Sequence, residues 1–205
     1  PDEGENAIYM MSRIIARIEE SLPRLRSHSE LGNGKMTVTD ITSEAPSDNS
    51  VPDFCRIRVD RRFCPGETRS ELIEEIRRIC GRPAPEITVP FHRARSWKGI
   101  ELEGEKFFPA WILPEDHPLV RTAAGALAEM EGLPLRIGTW GFSTNGVSLT
   151  GKYGIPAIGF GPGKETGAHQ PDENVEVEQL YRAGEFYARF ALLFARHTGE
   201  KKWRI

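Results

Sequence analysis

The chain has 205 residues, 39% hydrophobic and 28% charged, with a formal net charge of -3. That length buries one moderate core or two small ones, because domains run to roughly 100–200 residues. The mild acidity excludes a dedicated nucleic-acid binder, which carries a strong basic excess. No apolar run approaches the roughly 20 residues that cross a bilayer, the longest being Phe190 to Ala195. Cys55, Cys64 and Cys80 form no CxxC pair and leave an odd number, and no secretory signal is read. A reduced, cytoplasmic protein is the expectation. The chain opens on Pro1 and enters a helical pattern within a few residues, so it reads as a fragment.

From Asn6 to Leu22, Ile8, Met11, Ile15, Ile18 and Leu22 recur at steps of three and four, which predicts an amphipathic helix. Gly32-Asn33-Gly34 makes a turn, and Met36 to Ile41 alternates as a strand does. After a polar loop, Ser43 to Ser50, a clearer strand follows. Cys55, Ile57 and Val59 share one of its faces, and Arg56, Arg58, Asp60 and Arg62 share the other. Thr68-Arg69-Ser70-Glu71 has capping-box spacing and opens a helix through Leu72, Ile73, Ile76 and Ile79. Ile87, Val89 and Phe91 are expected to form a third strand. The order places two helices on one face of a small antiparallel sheet, an α+β sandwich. A ferredoxin-like unit has one more strand before its first helix, which would fall upstream of Pro1.

Residues 94–110 read as a connector, polar from Ala94 to Glu105 and then apolar and extended from Phe107. Asp116-His117-Pro118 opens a helix that runs to about Met130 and stops at Gly132. A short helix over Ser143 to Lys152, a buried strand over Pro156 to Phe160, and a final helix complete the second half. The apolar face of that helix is read as Val177, Leu180, Tyr181, Gly184, Tyr187, Ala188, Ala191 and Phe194. Alternating helix and strand suggests the edge of an α/β sheet. The expected division is 1–93, a connector 94–110, and 111–205.

Two motifs bear on chemistry. Gly159-Phe160-Gly161-Pro162-Gly163-Lys164 is no P-loop, since Ile158 and Glu165 stand where Gly and Ser or Thr are needed, and Lys164 breaks the dinucleotide fingerprint. His169, in Gly167-Ala168-His169-Gln170-Pro171, sits among glycines and acids in a loop that can present a neutral imidazole to a metal. Pro171 excludes a regular HExxH helix there. A surface histidine is the alternative.

Taken in order, Asn6-Ala7-Ile8, Asn49-Ser50-Val51-Pro52-Asp53, Asp60-Arg61-Arg62, Phe142-Ser143-Thr144-Asn145-Gly146, Gly154-Ile155-Pro156, Phe160-Gly161-Pro162-Gly163 and the His169 loop resemble the M20 metallohydrolases. This likeness covers essentially the whole chain. Trp111-Ile112-Leu113-Pro114-Glu115-Asp116-His117 looks like that family's branch linked to selenium metabolism. The resemblance implies a ferredoxin-like lid, or dimerisation domain, lacking its first strand, followed by the C-terminal α/β part of a zinc-peptidase-like catalytic domain. It further implies a homodimer, two zinc ions, and an N-acyl amino acid or small-peptide substrate. In that comparison His169 matches the last metal ligand. Asn49 and Arg62 match lid contacts to substrate, Arg62 to its carboxylate, and Ser143, Thr144, Asn145 and Gly161 line the cleft. An arginine fork suits a carboxylate, although an Asp60–Arg62 surface pair and a turn-forming Asn49 are the plainer alternatives.

The resemblance also implies that the family's HxD motif, bridging Asp, Glu pair and further acidic ligand lie upstream of this region, and its lid histidine just before Pro1. There the zinc ions polarise an amide carbonyl and activate water, with an upstream Glu as general base. One histidine cannot hold a catalytic zinc, so the chain alone is expected to be inactive. A lid-type module for dimerisation or ligand binding, without chemistry, is the rival reading.

Overall fold

The computed structural model describes residues 4–132 and 134–199, so Pro1 and the end of the expected second domain lie outside it. It forms two compact units, Pro1–Trp111 and Ile112–Ile205.

In the first unit, α1 (Ala7–Ser21) begins where the Asn6 side chain accepts hydrogen bonds from the Ile8 and Tyr9 amides, at 2.9 and 3.2 Å. Two of the amides that have no carbonyl partner at a helix start are thereby satisfied. Met11, Ile14 and Ile18 are buried, whereas Ile8 and Leu22 are exposed, so the packed stripe is turned slightly from the expected one. A short ribbon, β1 (Ser27–His28) and β2 (Gly32–Asn33), precedes β3 (Lys35–Glu44), which pairs antiparallel with β4 (Phe54–Arg62). The register shifts between Val38 and Asp40, which face Val59 and Arg58. This bulge explains why Met36 and Val38 keep even parity while Ile41 comes to face Ile57: one extra residue reverses the alternation. Met11, Ile14, Ile18, Leu25, Met36 and Cys80 form the core, with Cys55, Ile57 and Val59 against it.

The capping box forms as expected and starts α2 (Arg69–Cys80): Thr68 Oγ1 accepts from the Glu71 amide at 3.3 Å, and Glu71 Oε2 accepts from the Thr68 amide at 2.8 Å. These bonds, backbone first and the Thr68 hydroxyl second, hold the Glu71 carboxyl below its ordinary range. A depressed carboxyl stabilises the fold fully above its unfolded pKa and loses that contribution as pH falls through the folded value. The stability difference between the native chain and Glu71→Gln should therefore be largest near neutrality and fade in acid. Thermal melts over that range test it, and a pH-independent difference would refute it. Thr68→Ala should cost about 1 kcal/mol.

The third strand is not where the sequence placed it. Residues 83–90 form none; instead β5 (Phe91–Arg95) pairs with β6 (Glu101–Glu105), so the stretch read as a polar connector holds most of a hairpin. Its signal is cross-strand charge: Arg93 faces Glu103 and Arg95 faces Glu101. Among the described residues β3 and β4 remain a two-stranded ladder rather than part of a larger sheet.

In the second unit α3 (Pro118–Ala128) is capped by His117, whose Nδ1 accepts from the Leu119 amide at 3.2 Å, with Pro118 in the first turn. A π-helical turn spans Val147–Lys152, and Gly154 leaves it with φ +66°, the conformation a glycine adopts freely. Pro156 to Phe160 is not a strand among the described residues: no strand pairs with it, the Phe160 carbonyl accepts from the Tyr187 hydroxyl of the last helix instead, and Phe160 is only partly buried. The expected helix–strand alternation is thus absent among the described residues. α4 (Val177–Gly199) packs on α3 through Phe186, Phe190 and Leu193, and Ala183 on the same face is buried. Val177, Leu180, Tyr181 and Tyr187 are exposed. The buried face is displaced by one residue from the expected one, about 100° around the axis.

Candidate functional site

The ladder places the two candidate residues of the first unit far apart. Asn49 is exposed in the turn closed by the Ser50 amide to the Ser47 carbonyl at 3.0 Å, beyond the Glu44–Phe54 end. Arg62 pairs with Lys35 at the opposite end. The steps from one end of this nine-residue strand to the other, at about 3.3 Å each, set these ends roughly 26 Å apart. The two residues do not come together within one chain.

Arg62 points away from the core, as its parity requires, and its Nε donates to Asp60 Oδ2 at 3.1 Å. Both side chains are largely exposed. Arg58 reaches Asp40 at 3.9 Å across the bulge. The outer face is therefore not a bare basic surface: two of its three arginines stand beside carboxylates, and the Asp60–Arg62 pair weighed in the sequence is present. Such exposed pairs contribute little to stability.

Arg61 is the residue that sequence reading passed over. It shares parity with Cys55, Ile57 and Val59 and turns inward, its side chain only 6% exposed. Nε binds Glu75 at 2.9 Å, Nη2 binds Glu67 at 3.1 Å, and Nη1 donates to the Arg62 carbonyl. A Cβ on Gly34 would meet Nη1 at 2.6 Å, so the guanidinium needs a glycine beneath it. Alternation alone could have found Arg61, because an arginine on the apolar face needs carboxylate partners.

In the second unit, Thr144 Oγ1 accepts from the Gly146 amide at 3.2 Å, and its carbonyl accepts from Val147 at 3.0 Å. The Asn145 carbonyl accepts from Ser148 at 3.0 Å. Thr144 and Asn145 thus start the π-helical turn, with Ser143 and the Asn145 side chain open to solvent. Gly161 is exposed with free space where a Cβ would stand, and the loop after it is held by the Gly163 amide on Gln179 Oε1 at 2.7 Å. His169 is exposed at φ 61°, and its amide donates to Glu173 Oε2 at 3.2 Å. Positive φ is uncommon outside glycine, although histidine tolerates it better than most. Among the described residues no group of three or more His, Cys, Asp or Glu side chains could hold a metal ion. A catalytic zinc takes three protein ligands and a water; the described residues alone do not build such a centre.

Residues 1–88 match the family model for the peptidase dimerisation domain of M20 enzymes. The chain is 37% identical over 194 residues to the uncharacterized protein YgeY of Escherichia coli strain K12, covering 94% of this chain and 48% of that protein. It is 30% identical over 196 residues to the acetylornithine deacetylase of Myxococcus xanthus, covering 92% and 47%. The chain belongs to the M20 peptidase family. A third M20 relative, the N-formyl-4-amino-5-aminomethyl-2-methylpyrimidine deformylase of Bacillus subtilis, is 30% identical over 188 residues, covering 86% and 43%. The chain spans about half the length of the curated relatives it matches. Asn49 and Arg62 fall within the M20 dimerisation domain; Ser143, Thr144, Asn145, Gly161 and His169 lie beyond its matched residues. No helix among the described residues is long and apolar enough to cross a membrane.

Proposed function

We propose that this chain is the dimerisation and substrate-recognition part of an amide hydrolase that cleaves an acyl group from an amino acid or related small amine. The observation that carries the reading is the dimerisation-domain match over residues 1–88, joined to relatives named for removing acetyl and formyl groups. The dimerisation domain, read as a ferredoxin-like lid, makes the homodimer. Arg62 receives the substrate carboxylate: its strand position turns the guanidinium outward, and Asp60 Oδ2 holds Nε and Nη2 from one side, both at 3.1 Å, leaving Nη1 turned to the substrate. Ser143, Thr144, Asn145 and Gly161 line the cleft for the rest of the substrate. His169 supplies one imidazole to a zinc centre whose remaining donors come from outside the described residues. The zinc, when bound, supplies Lewis-acid activation of the amide carbonyl and of water.

The test uses the product of the whole reading frame that encodes this sequence, assayed on N-acetyl and N-formyl amino acids with added zinc. Hydrolysis is expected, as is loss of bound zinc in His169→Ala. Arg62→Ala should raise KM for substrates with a free carboxylate and leave carboxamide analogues nearly unchanged. No hydrolysis, with a stable dimer, would favour the non-catalytic module. Unchanged zinc content in His169→Ala would remove that ligand, and equal loss on carboxamides would remove the role of Arg62. The 205-residue chain alone is expected to be inactive.

A further inference from the structure

Beside α1 lies an open groove of about 470 Å³, within the roughly 300–1,000 Å³ of small-molecule sites. Arg13 and Arg17 project into it from successive turns of α1, and Arg82 from the segment that follows α2. Glu5 is the one carboxylate in its lining, leaving three positive charges against one negative in a chain whose net charge is -3. Among the described residues none of these arginines forms an ion pair, although most of the others do. Like charges four apart on a helix repel by a few tenths of a kcal/mol, and a concave wall focuses their field.

The groove is also built rather than incidental. Arg17 Nη1 donates to the Cys80 carbonyl at the end of α2, which fixes that guanidinium. Gly81, with φ +73°, makes room for it: a Cβ there would meet Nη1 at 2.7 Å. At the other end the Ala7 amide donates to the Pro52 carbonyl at 2.9 Å, tying the start of α1 to the loop that brings Val51 to the rim. Tyr9 and Met10 add an aromatic and an apolar wall beside the cations.

We propose that this groove binds a small organic anion, its phosphate or carboxylate groups held by Arg13, Arg17 and Arg82 and its apolar part lying against Tyr9 and Met10. The site stands apart from Arg62, which occupies the outer face of β4, and does not depend on the hydrolase reading. Guanidinium forks suit either oxyanion, so the two chemistries are separated by experiment.

Isothermal titration calorimetry of the full chain at low ionic strength, with inorganic pyrophosphate and with citrate, tests the proposal. Saturable binding of at least one anion is expected, and the anion that binds identifies the chemistry. Arg13→Gln and Arg82→Gln should each weaken it about tenfold or more, the scale of one charge-assisted hydrogen bond. Arg82→Lys, which keeps the charge but not the fork, should weaken binding less than Arg82→Gln, and unchanged melting temperatures would show that the fold is intact. Arg58→Gln, on the outer sheet face, should leave the affinity unchanged. Failure of both anions to saturate the native chain, or equal weakening by Arg58→Gln, would overturn the proposal.

Discussion

Replacing Arg61 with alanine should lower the unfolding free energy by about 3–5 kcal/mol, the usual cost of removing one partner from a buried ion pair. The side chain of Arg61 is 6% exposed and that of Glu67 8%, so truncation leaves a carboxylate that water barely reaches with the Cys64 amide but no cation beside it, and Glu75 loses its bond as well. A triple variant, Arg61→Met with Glu67→Gln and Glu75→Gln, should recover part of the loss, because no charge is then left buried without a counterion. Arg62→Ala, one residue along, should change stability by less than about 1 kcal/mol, since its pair with Asp60 is exposed. Urea denaturation of the four proteins measures this directly. Comparable losses at positions 61 and 62 would mean that the inward network does not hold β4 to α2.

Phe186→Ala should cost about 3–5 kcal/mol within the second unit, the range for deleting a buried aromatic ring. Phe186 is 2% exposed, and its ring centroid lies 3.8 Å from that of Phe160 and 6.0 Å from that of Phe190. Its removal leaves a cavity between α4 and the Phe160 loop and frees a segment that has no strand partner to hold it. Tyr181→Ala, at 73% exposure, should fall within about 0.5 kcal/mol of the native chain. The pair discriminates the two faces of α4: the reverse order of losses would restore the face expected from the sequence. The readout is the melting transition of the second unit, followed by near-ultraviolet circular dichroism of its aromatic cluster.

Local signals carried much of this structure in the sequence. Asn6 and Thr68 announced two helix starts because a cap acts within three residues. Cys55, Ile57 and Val59 announced a strand because alternation is a property of the backbone itself. The ordered motifs from Asn6 to His169 pointed to the M20 family. Partnership was decided only by the tertiary structure. Pro156 to Phe160 has the composition of a buried strand, yet a strand requires a neighbouring strand to take up its backbone groups, and no described strand does. Leu180, Tyr181 and Tyr187 offer large side chains on one face as Phe186 and Phe190 do on another, so the pattern left two candidate faces on α4, and the packing of α3 selected one. Arg61 and Arg62 are chemically identical neighbours; alternation sends one to Glu67 and Glu75 and the other to solvent. Arg13, Arg17 and Arg82 share a groove because α2 returns its end to the side of α1, a proximity created by the fold between residues more than sixty positions apart.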